Sequence, residues 1–287
     1  MPVSDLPAIE PGTLYVVATP IGNLEDISPR ALRVLGEVEL VAAEDTRHTR
    51  KLFNHFGITT RLLSLHEHNE AQRAEQLIEK LQGGMSLGLV SDAGTPCISD
   101  PGYRLVAACR DAGLKVASVP GPTAFTTALS IAGLPSDRFT FCGFMPAKKS
   151  ARLRELEAFT GRRETLIFYE SPHRLVAALE DMYEVFGADC QTAVARELTK
   201  LHEEVVRGTL AEVQAEFSGR DKVRGEIVIL LVPSVLEPEL EDLDSVLRKR
   251  LAEDERPARQ VVKEVAREFG LSGSEVYQRY LELKADA

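Results

Sequence analysis

The sequence predicts an α/β protein made of two α/β domains followed by a small helical domain. From residue 13 to residue 133, short apolar runs alternate with helical patterns, which is typical of a mostly parallel sheet flanked by helices. After residue 136 the runs are joined by shorter links, which favour antiparallel pairing and therefore a mixed sheet. We place the three domains at residues 12–134, 135–233 and 240–287.

Length and composition restrict the class of protein. The 287 residues are enough for two domains with large cores, and the apolar content of 44% is that of a globular protein. The formal net charge of −10 argues against a protein that coats nucleic acid through an overall positive field, although a local basic face stays compatible with it. The polar N-terminus and the lack of a long apolar run predict a cytoplasmic protein.

Each strand of the first predicted domain ends in a loop of small or polar residues, and a helix follows. The strand at 13–18 leads to Ser28-Pro29, where serine can cap a helix and proline fits its first position. The strand at 38–43 leads into the polar cluster Glu44-Asp-Thr-Arg-His-Thr-Arg50 and a helix. Further strands are predicted at 62–65, 87–90 and 116–119, and further helices at 70–81, 103–112 and 124–133.

The longest loop of this domain is Ser91-Asp-Ala-Gly-Thr-Pro-Cys-Ile-Ser-Asp-Pro-Gly102. It exceeds an ordinary strand–helix connection, and its small side chains would let a ligand approach the backbone. In open α/β sheets, ligands bind at such carboxyl ends of strands. Asp92 would add a carboxylate, and Asp100-Pro101 is predicted to start the next helix as Ser28-Pro29 does.

The second predicted domain contains strands at 139–144, 165–169, 192–195, 205–206 and 225–232. Residues 145–154 form a basic surface segment, and Ser171-Pro172 is a third predicted helix start. Residues 233–243 are acidic and contain prolines, which indicates a linker. In the tail, a helix at 257–269 and a helix capped by Ser274 form either a helix-turn-helix or a helical hairpin packed on the domain or on a second subunit.

Several common catalytic motifs are missing from the sequence. Neither G-x-G-x-x-G after a strand nor G-x-x-x-x-G-K-[ST] occurs, so a nicotinamide-dependent dehydrogenase and a P-loop NTPase are unsupported. His66 and His68 supply too few ligands for a metal site, and we predict none. Small-residue loops with carboxylates nearby fit a neutral or cationic nucleoside. S-adenosylmethionine, with its adenosine and zwitterionic tail, is such a ligand.

Eight short motifs follow one another through residues 12–232. They are Ala18-Thr-Pro-Ile-Gly-Asn-Leu24, Ala42-Ala-Glu-Asp-Thr-Arg-His-Thr49, Ser91-Asp-Ala-Gly-Thr-Pro96, Pro120-Gly-Pro122, Gly133-Leu-Pro-Ser-Asp-Arg138, Phe168-Tyr-Glu-Ser-Pro-His-Arg174, Ala195-Arg-Glu-Leu-Thr-Lys200 and Arg224-Gly-Glu226. Together they resemble the tetrapyrrole methylase family. Porphyrin and corrin methylases usually carry G-x-G-P-G-D where this chain has Thr19-Pro-Ile-Gly-Asn, so the resemblance is to the family's RNA-methylating branch.

The resemblance implies a fold and a cofactor site. It implies that S-adenosylmethionine lies in a cleft between the two α/β domains. The contacts carried over to this sequence are Pro20, Ile21, Asp92, Ala93, Gly94, Thr95, Thr123, Ala124, Tyr169 and Glu226.

The resemblance also implies an activity, which is 2′-O-methylation of a cytidine ribose in small-subunit ribosomal RNA. A hydroxyl nucleophile needs a base, and the first candidates are Glu44 and Asp45, followed by Glu170 and Glu197. Phosphates would be held by Arg47, His173, Arg174, Arg196 and Lys200. The RNA, in the assembled subunit, would bind a basic strip of Lys148, Lys149, Arg152 and the tail, and the enzyme would be a homodimer.

Two alternative functions stay open. A methylase of small tetrapyrroles would have an apolar substrate trough without a basic rim. A regulator without catalytic activity would bind nucleic acid through the helical tail but transfer no methyl group.

Overall fold

The computed structural model describes residues 8–233, 243–253 and 257–285. The chain divides into two compact units, between residues 234 and 235, and each is described by itself. The first unit contains two sheets of five strands.

The first sheet is parallel throughout, as predicted, with the strand order β3-β2-β4-β1-β5. Its strands and helices are β1 (Thr13–Val17), α1 (Pro29–Glu37), β2 (Leu40–Ala43), α2 (Thr46–Phe56), β3 (Arg61–Ser64), α3 (Glu70–Gln82), β4 (Leu87–Val90), α4 (Tyr103–Asp111), β5 (Lys115–Val119) and α5 (Ala124–Ile131). Strands β1 and β4 are neighbours, so the two loops that leave their carboxyl ends meet at the same edge of the sheet.

Helices cover both faces of this sheet, which explains why its strands are apolar without alternation. Val34 of α1 and Phe53 of α2 pack on one face with Val41 of β2. Leu77 of α3 and Leu105 of α4 pack on the other face.

The second sheet is mixed, as the short links predicted, with the order β6-β7-β10-β8-β9. Strands β6 and β7 are parallel, and the remaining pairs are antiparallel. The elements are β6 (Phe139–Phe144), α6 (Lys149–Glu157), β7 (Thr165–Glu170), α7 (Leu175–Phe186), β8 (Gln191–Arg196), β9 (Glu204–Thr209), α8 (Leu210–Ser218) and β10 (Ile227–Val232). Helices α6, α7 and α8 contribute to the core on one face of this sheet.

Helix α5 packs against the other face of the second sheet. Ala128 and Leu129 of α5 share a core with Ile167 of β7 and with Val228 and Leu230 of β10. A helix that the sequence places in the first domain therefore lies on the sheet of the second. The predicted boundary between residues 134 and 135 stays a prediction.

The three predicted Ser/Asp-Pro helix starts have different outcomes. Ser28 caps α1 by accepting a hydrogen bond from the Ala31 N–H, with Pro29 at the first position, as predicted. The prediction for Asp100-Pro101 is wrong, because the residue before α4 is Gly102 and a side chain from α3 accepts the N–H bonds there. Ser171-Pro172 does not start α7 either, since that helix begins at Leu175.

The acceptor at the start of α4 is the buried carboxylate of Glu70. Its Oε1 accepts hydrogen bonds from the N–H groups of Gly102 (3.0 Å), Arg104 (2.8 Å) and Leu105 (3.2 Å). A negative charge at a helix N-terminus is also favoured by the helix dipole. Glu70 thus fixes the end of the long loop that follows β4.

The basic segment 145–154 is not a continuous surface strip. Arg152 of α6 is buried, and its guanidinium contacts the buried Asp181 of α7 at 2.5 Å. It also donates to the carbonyls of Pro146 and Ala147. The expectation that Arg152 binds RNA is therefore wrong. Its guanidinium is buried and forms an ion pair that connects α6 to α7.

The second unit consists of α9 (Leu243–Glu253), α10 (Ala258–Glu268) and α11 (Gly273–Ala285) around an apolar core that includes Leu247, Val265 and Val276. Ser272 caps α11, not Ser274, because its hydroxyl accepts from the Glu275 N–H while the Glu275 carboxylate accepts from the Ser272 N–H. The predicted linker lies outside the described residues, apart from its two ends. In the part of the chain that the structure describes, no helix is both long and apolar enough to cross a membrane.

Candidate functional site

The loops after β1 and β4 are held together by a two-hydrogen-bond bridge. The Thr19 N–H donates to the Gly94 carbonyl at 2.8 Å, and the Gly94 N–H donates to the Thr19 carbonyl at 3.0 Å. Gly94 has a φ of +81°, and a Cβ there would lie 3.3 Å from Ile21. Glycine is therefore needed at the point where the two loops meet.

A first cavity of about 350 Å³ lies between these loops and the second sheet. It brings together eight of the ten predicted cofactor residues, which are Ile21, Ala93, Gly94, Thr95, Thr123, Ala124, Tyr169 and Glu226. Glu170 lines it as well. Its volume and largely apolar walls are those of a small-molecule site with a few polar groups.

A second cavity of about 380 Å³ adjoins the first and shares Ile21, Ala93 and Glu226 with it. Pro20 and Asp92, the remaining two predicted cofactor residues, line this second cavity. Its other walls come from α2, from the loops after β1 and β4, and from Lys200.

The polar side chains of the first cavity are fixed by hydrogen bonds across it. The Thr95 hydroxyl lies 3.1 Å from the Pro122 carbonyl and 2.5 Å from the Thr123 hydroxyl. Because it has one hydrogen to give to the carbonyl, it accepts from Thr123. The Tyr169 hydroxyl accepts from the Phe125 N–H at 3.2 Å, and burial raises the pKa of Tyr169 to about 12.

The carboxylates of Glu44, Asp92 and Asp100 interact where the loop after β4 meets the end of β2. The Asp92 N–H donates to Glu44 at 3.3 Å, and Asp92 accepts from the Asp45 N–H at 3.0 Å. Burial, with the charges of Asp92 and Asp45, raises the pKa of Glu44. Burial and the charges of Glu44 and Asp92 also raise the pKa of Asp100 to about 6. Asp100 lines the first cavity.

Asp45 has a different role from Glu44. Its carboxylate caps α2 by accepting from the Arg47 N–H at 2.8 Å, and it also binds the Arg47 guanidinium at 2.7 Å. These hydrogen bonds from Arg47 hold the pKa of the Asp45 carboxyl well below its usual range. A carboxylate so stabilised is a weak proton acceptor.

The carboxylate of Glu170 is buried, and its two oxygens differ. Oε1 accepts from the Ser171 N–H at 2.7 Å and contacts the Arg174 guanidinium at 2.5 Å. Oε2 has no hydrogen-bond partner among the described residues. A buried acceptor without a donor is costly. The Glu170 side chain has no exposed surface, so this oxygen does not face the open space of the first cavity.

The structure also shows site residues that the sequence did not single out. Asp100 was read as a helix cap, and His48, Lys51 and His55 of α2 line the second cavity. Among the described residues, non-glycine residues with positive φ occur in two loops bordering the cavities, at Cys97, Ser99, Glu197 and Thr199. Strained backbone is concentrated at functional sites. No sequence signal marks it here.

Most of the predicted phosphate-binding residues are engaged in ion pairs. Arg47 binds Asp45, Arg174 binds Glu170, and Arg196 binds Glu204. Lys200 contacts Glu197 at 2.8 Å and Glu226 at 3.2 Å. Among residues 8–233, 243–253 and 257–285, no group of three or more His, Cys, Asp or Glu side chains is placed to hold a metal ion.

Two family profiles match the chain. The Tetrapyrrole (Corrin/Porphyrin) Methylases profile matches residues 13–214, and the RsmI C-terminal HTH domain profile matches residues 237–284.

The chain is also similar to curated proteins and to solved structures. It is 47% identical to ribosomal RNA small subunit methyltransferase I of Escherichia coli O157:H7, over 94% of this chain and 95% of that protein. It is 45% identical to the protein of the same name from Mesorhizobium japonicum, over 98% and 96%.

Among solved structures, uroporphyrin-III-C-methyltransferase from Thermus thermophilus has a TM-score of 0.55 at 23% identity, covering 76% of this chain and 94% of that one. Cobalt precorrin-4 methyltransferase has a TM-score of 0.58 at 16% identity, covering 77% and 95%. These two confirm the fold alone. The matches together show that the chain belongs to the tetrapyrrole (corrin/porphyrin) methylase family, in the group of ribosomal RNA small subunit methyltransferase I proteins.

Proposed function

We propose that this protein is an S-adenosylmethionine-dependent methyltransferase that methylates the ribose 2′-oxygen of a cytidine in small-subunit ribosomal RNA. The observation that carries the proposal is the identity of 47% to a protein named ribosomal RNA small subunit methyltransferase I over nearly the whole of both chains. The 2′-oxygen and the cytidine rest on the resemblance of the motifs alone.

The lining of the first cavity supports the choice of S-adenosylmethionine as the cofactor. Its apolar walls, including Ile21, Leu198 and Val228, suit an adenine ring. The carboxylates of Asp100, Glu170 and Glu226 suit the positive sulfonium and ammonium groups. The Glu170 carboxylate has no exposed surface, so it would act through its charge and not through a direct hydrogen bond.

The chain's residues have separate tasks in the reaction. When bound, S-adenosylmethionine supplies an electrophilic methyl group on its sulfonium. The loops after β1 and β4, tied by the Thr19–Gly94 bridge, position the ribose hydroxyl for attack. Glu44 lines neither cavity, but its carboxylate accepts from the N–H of Asp92, which lines the second. We assign it the proton of that hydroxyl, because its raised pKa makes it a stronger base than Asp45.

One observation favours RNA over a tetrapyrrole as the substrate. The RsmI C-terminal HTH domain profile matches residues 237–284 of the second unit. The two porphyrin and corrin methylases match about three quarters of this chain. A helix-turn-helix is a common nucleic-acid-binding element.

Mass spectrometry of small-subunit RNA tests the proposal. RNA from a strain with the gene deleted is compared with RNA from the same strain carrying the gene again. We expect one 2′-O-methylcytidine to disappear and to return. An unchanged set of ribose methylations would contradict the proposal. Purified protein that binds small subunits but transfers no tritium from labelled cofactor would favour a regulator instead.

A further inference from the structure

The second cavity adjoins the proposed cofactor site but differs from it in chemistry. One face of α2 lines it with His48, Lys51 and His55. These residues are spaced by three and four along the helix, so their side chains lie on one face. All three are exposed, and the buried Thr49 and Leu52 of the same helix lie beneath them.

Lys51 differs from the other basic residues near the site. Arg47, Arg174, Arg196 and Lys200 all contact carboxylates. Lys51 has no ion-pair partner within the described part of the chain. In a chain with a net charge of −10, an unpaired cation at the wall of a cavity indicates a site for an anion.

The second cavity also carries acidic groups. Asp92 and Glu226 line it, and Glu226 is paired with Lys200. Asp92 lies beside the start of α2, because it accepts a hydrogen bond from the Asp45 N–H. The cavity therefore combines cationic, imidazole and carboxylate groups with largely apolar walls. A nucleotide suits this combination, because it carries a phosphate, a base that can stack on histidine rings, and ribose hydroxyls that can donate to a carboxylate.

We propose that the second cavity binds the target nucleotide of the RNA, with Lys51 contacting a phosphate next to the modified ribose and with the rings of His48 and His55 available to stack on the base. This inference rests on the proposed function. It places the ribose at the side of the cavity that adjoins the cofactor site, since Ile21, Ala93 and Glu226 line both cavities.

The test uses the full-length protein and small ribosomal subunits isolated from a strain that lacks the gene. Tritium transfer is measured at several subunit and salt concentrations for the wild type, Lys51→Gln and Lys51→Arg. Arg50→Gln is the matched control, because Arg50 is exposed on the same helix but does not line the cavity. Calorimetry gives the affinity of each variant for S-adenosylmethionine.

For Lys51→Gln we expect KM for the subunits to rise about tenfold with kcat unchanged, and the salt slope of binding to fall by about 1. Lys51→Arg should restore both, and the affinity for the cofactor should not change. An unchanged KM and slope in Lys51→Gln, or equal effects in Arg50→Gln, would overturn the assignment of the cavity. A wild type that transfers no methyl group would instead overturn the proposed function, and this inference with it.

Discussion

Glu44 and Asp45 are adjacent in sequence, but their carboxylates have opposite surroundings. Glu44 is half-buried beside Asp92, whereas Asp45 binds the backbone and guanidinium of Arg47. We expect Glu44→Gln to lower kcat by about 100-fold, as loss of a general base does, with the cofactor affinity unchanged. Asp45→Asn should keep most of the activity. Equal kcat values in the two variants, measured by methyl transfer to small subunits, would exclude Glu44 as the base.

The buried carboxylate of Glu170 lies next to the wall of the first cavity, so we predict that its charge favours a cationic ligand there. Glu170→Gln keeps an acceptor for Ser171 and Arg174 but loses the negative charge beside the first cavity. We expect the cofactor affinity, measured by calorimetry, to fall about tenfold, because the positive groups of the cofactor lose a nearby negative charge. Arg174→Gln is the control, because it breaks the ion pair and leaves Oε2 in place. Unchanged affinity in Glu170→Gln would remove Glu170 from the cofactor site.

Asp100 makes stability depend on pH. Its pKa is raised to about 6 in the folded protein, so the folded state holds this proton at pH values where the unfolded chain has released it. Stability from this group is present below about pH 4 and is lost as the pH rises through about 6.

Replacing Asp100 should therefore stabilise the protein at neutral pH. We expect Asp100→Asn to raise the free energy of unfolding at pH 7 by up to about 3 kcal/mol, and to have no such effect near pH 3.5. Urea unfolding of both proteins at the two pH values measures this. A difference that is the same at both values would show that burial of the Asp100 charge is not its cause.

At the scale of elements, α4 depends on a residue from another helix. Glu70→Ala would leave the N–H groups of Gly102, Arg104 and Leu105 without their acceptor. We expect a loss of about 2–4 kcal/mol in the free energy of unfolding, together with weaker cofactor binding, because the loop after β4 loses its anchor. Ser28→Ala removes the local cap of α1 and should cost about 1 kcal/mol without affecting cofactor binding. Equal effects of the two changes on unfolding would contradict this role of Glu70.

The helix starts show how far the sequence predicts this fold. Ser28-Pro29, Asp100-Pro101 and Ser171-Pro172 look alike, yet only the first is a local cap, as the structure of the described residues shows. The cap of α4 is Glu70, thirty-odd residues earlier, and no local pattern connects them. The succession of strands and helices and the class of each sheet follow from apolar periodicity and the lengths of the links. The order of the strands within a sheet and the contacts between distant elements do not.

The sequence predicted the candidate site to about the same extent as it predicted the fold. The small-residue loops identify the cavities, and every predicted cofactor residue lines one of them. The cofactor roles of these residues stay predictions. The basic pattern could not distinguish Arg152, which is buried against Asp181, from Lys51, which is exposed at a cavity wall. That difference depends on which charges a neighbouring helix supplies.

For the whole molecule, the net charge of −10 predicts which form of the substrate is used. An acidic protein gains little from the general field of RNA, so it should need the local shape of a folded target. We expect methyl transfer to assembled small subunits to be at least about tenfold faster than to naked RNA, with the reaction on both measured by tritium incorporation. Equal rates would contradict this expectation. The homodimer stays a prediction, which sedimentation equilibrium can check.

Helix α5 has a consequence for how ligands are exchanged. It belongs to the first half of the chain but packs Ala128 and Leu129 into the core of the second sheet, and the Tyr169 hydroxyl accepts from the backbone beside them. A hinge rotation that separated the two halves would expose these groups to water, at roughly 2 kcal/mol for each large apolar side chain. If the cofactor binds as proposed, we therefore expect it to enter and leave through the opening of the cleft without separation of the two halves. The rate of turnover would then be limited by small displacements of the loops at that opening, and not by a hinge motion of the two halves.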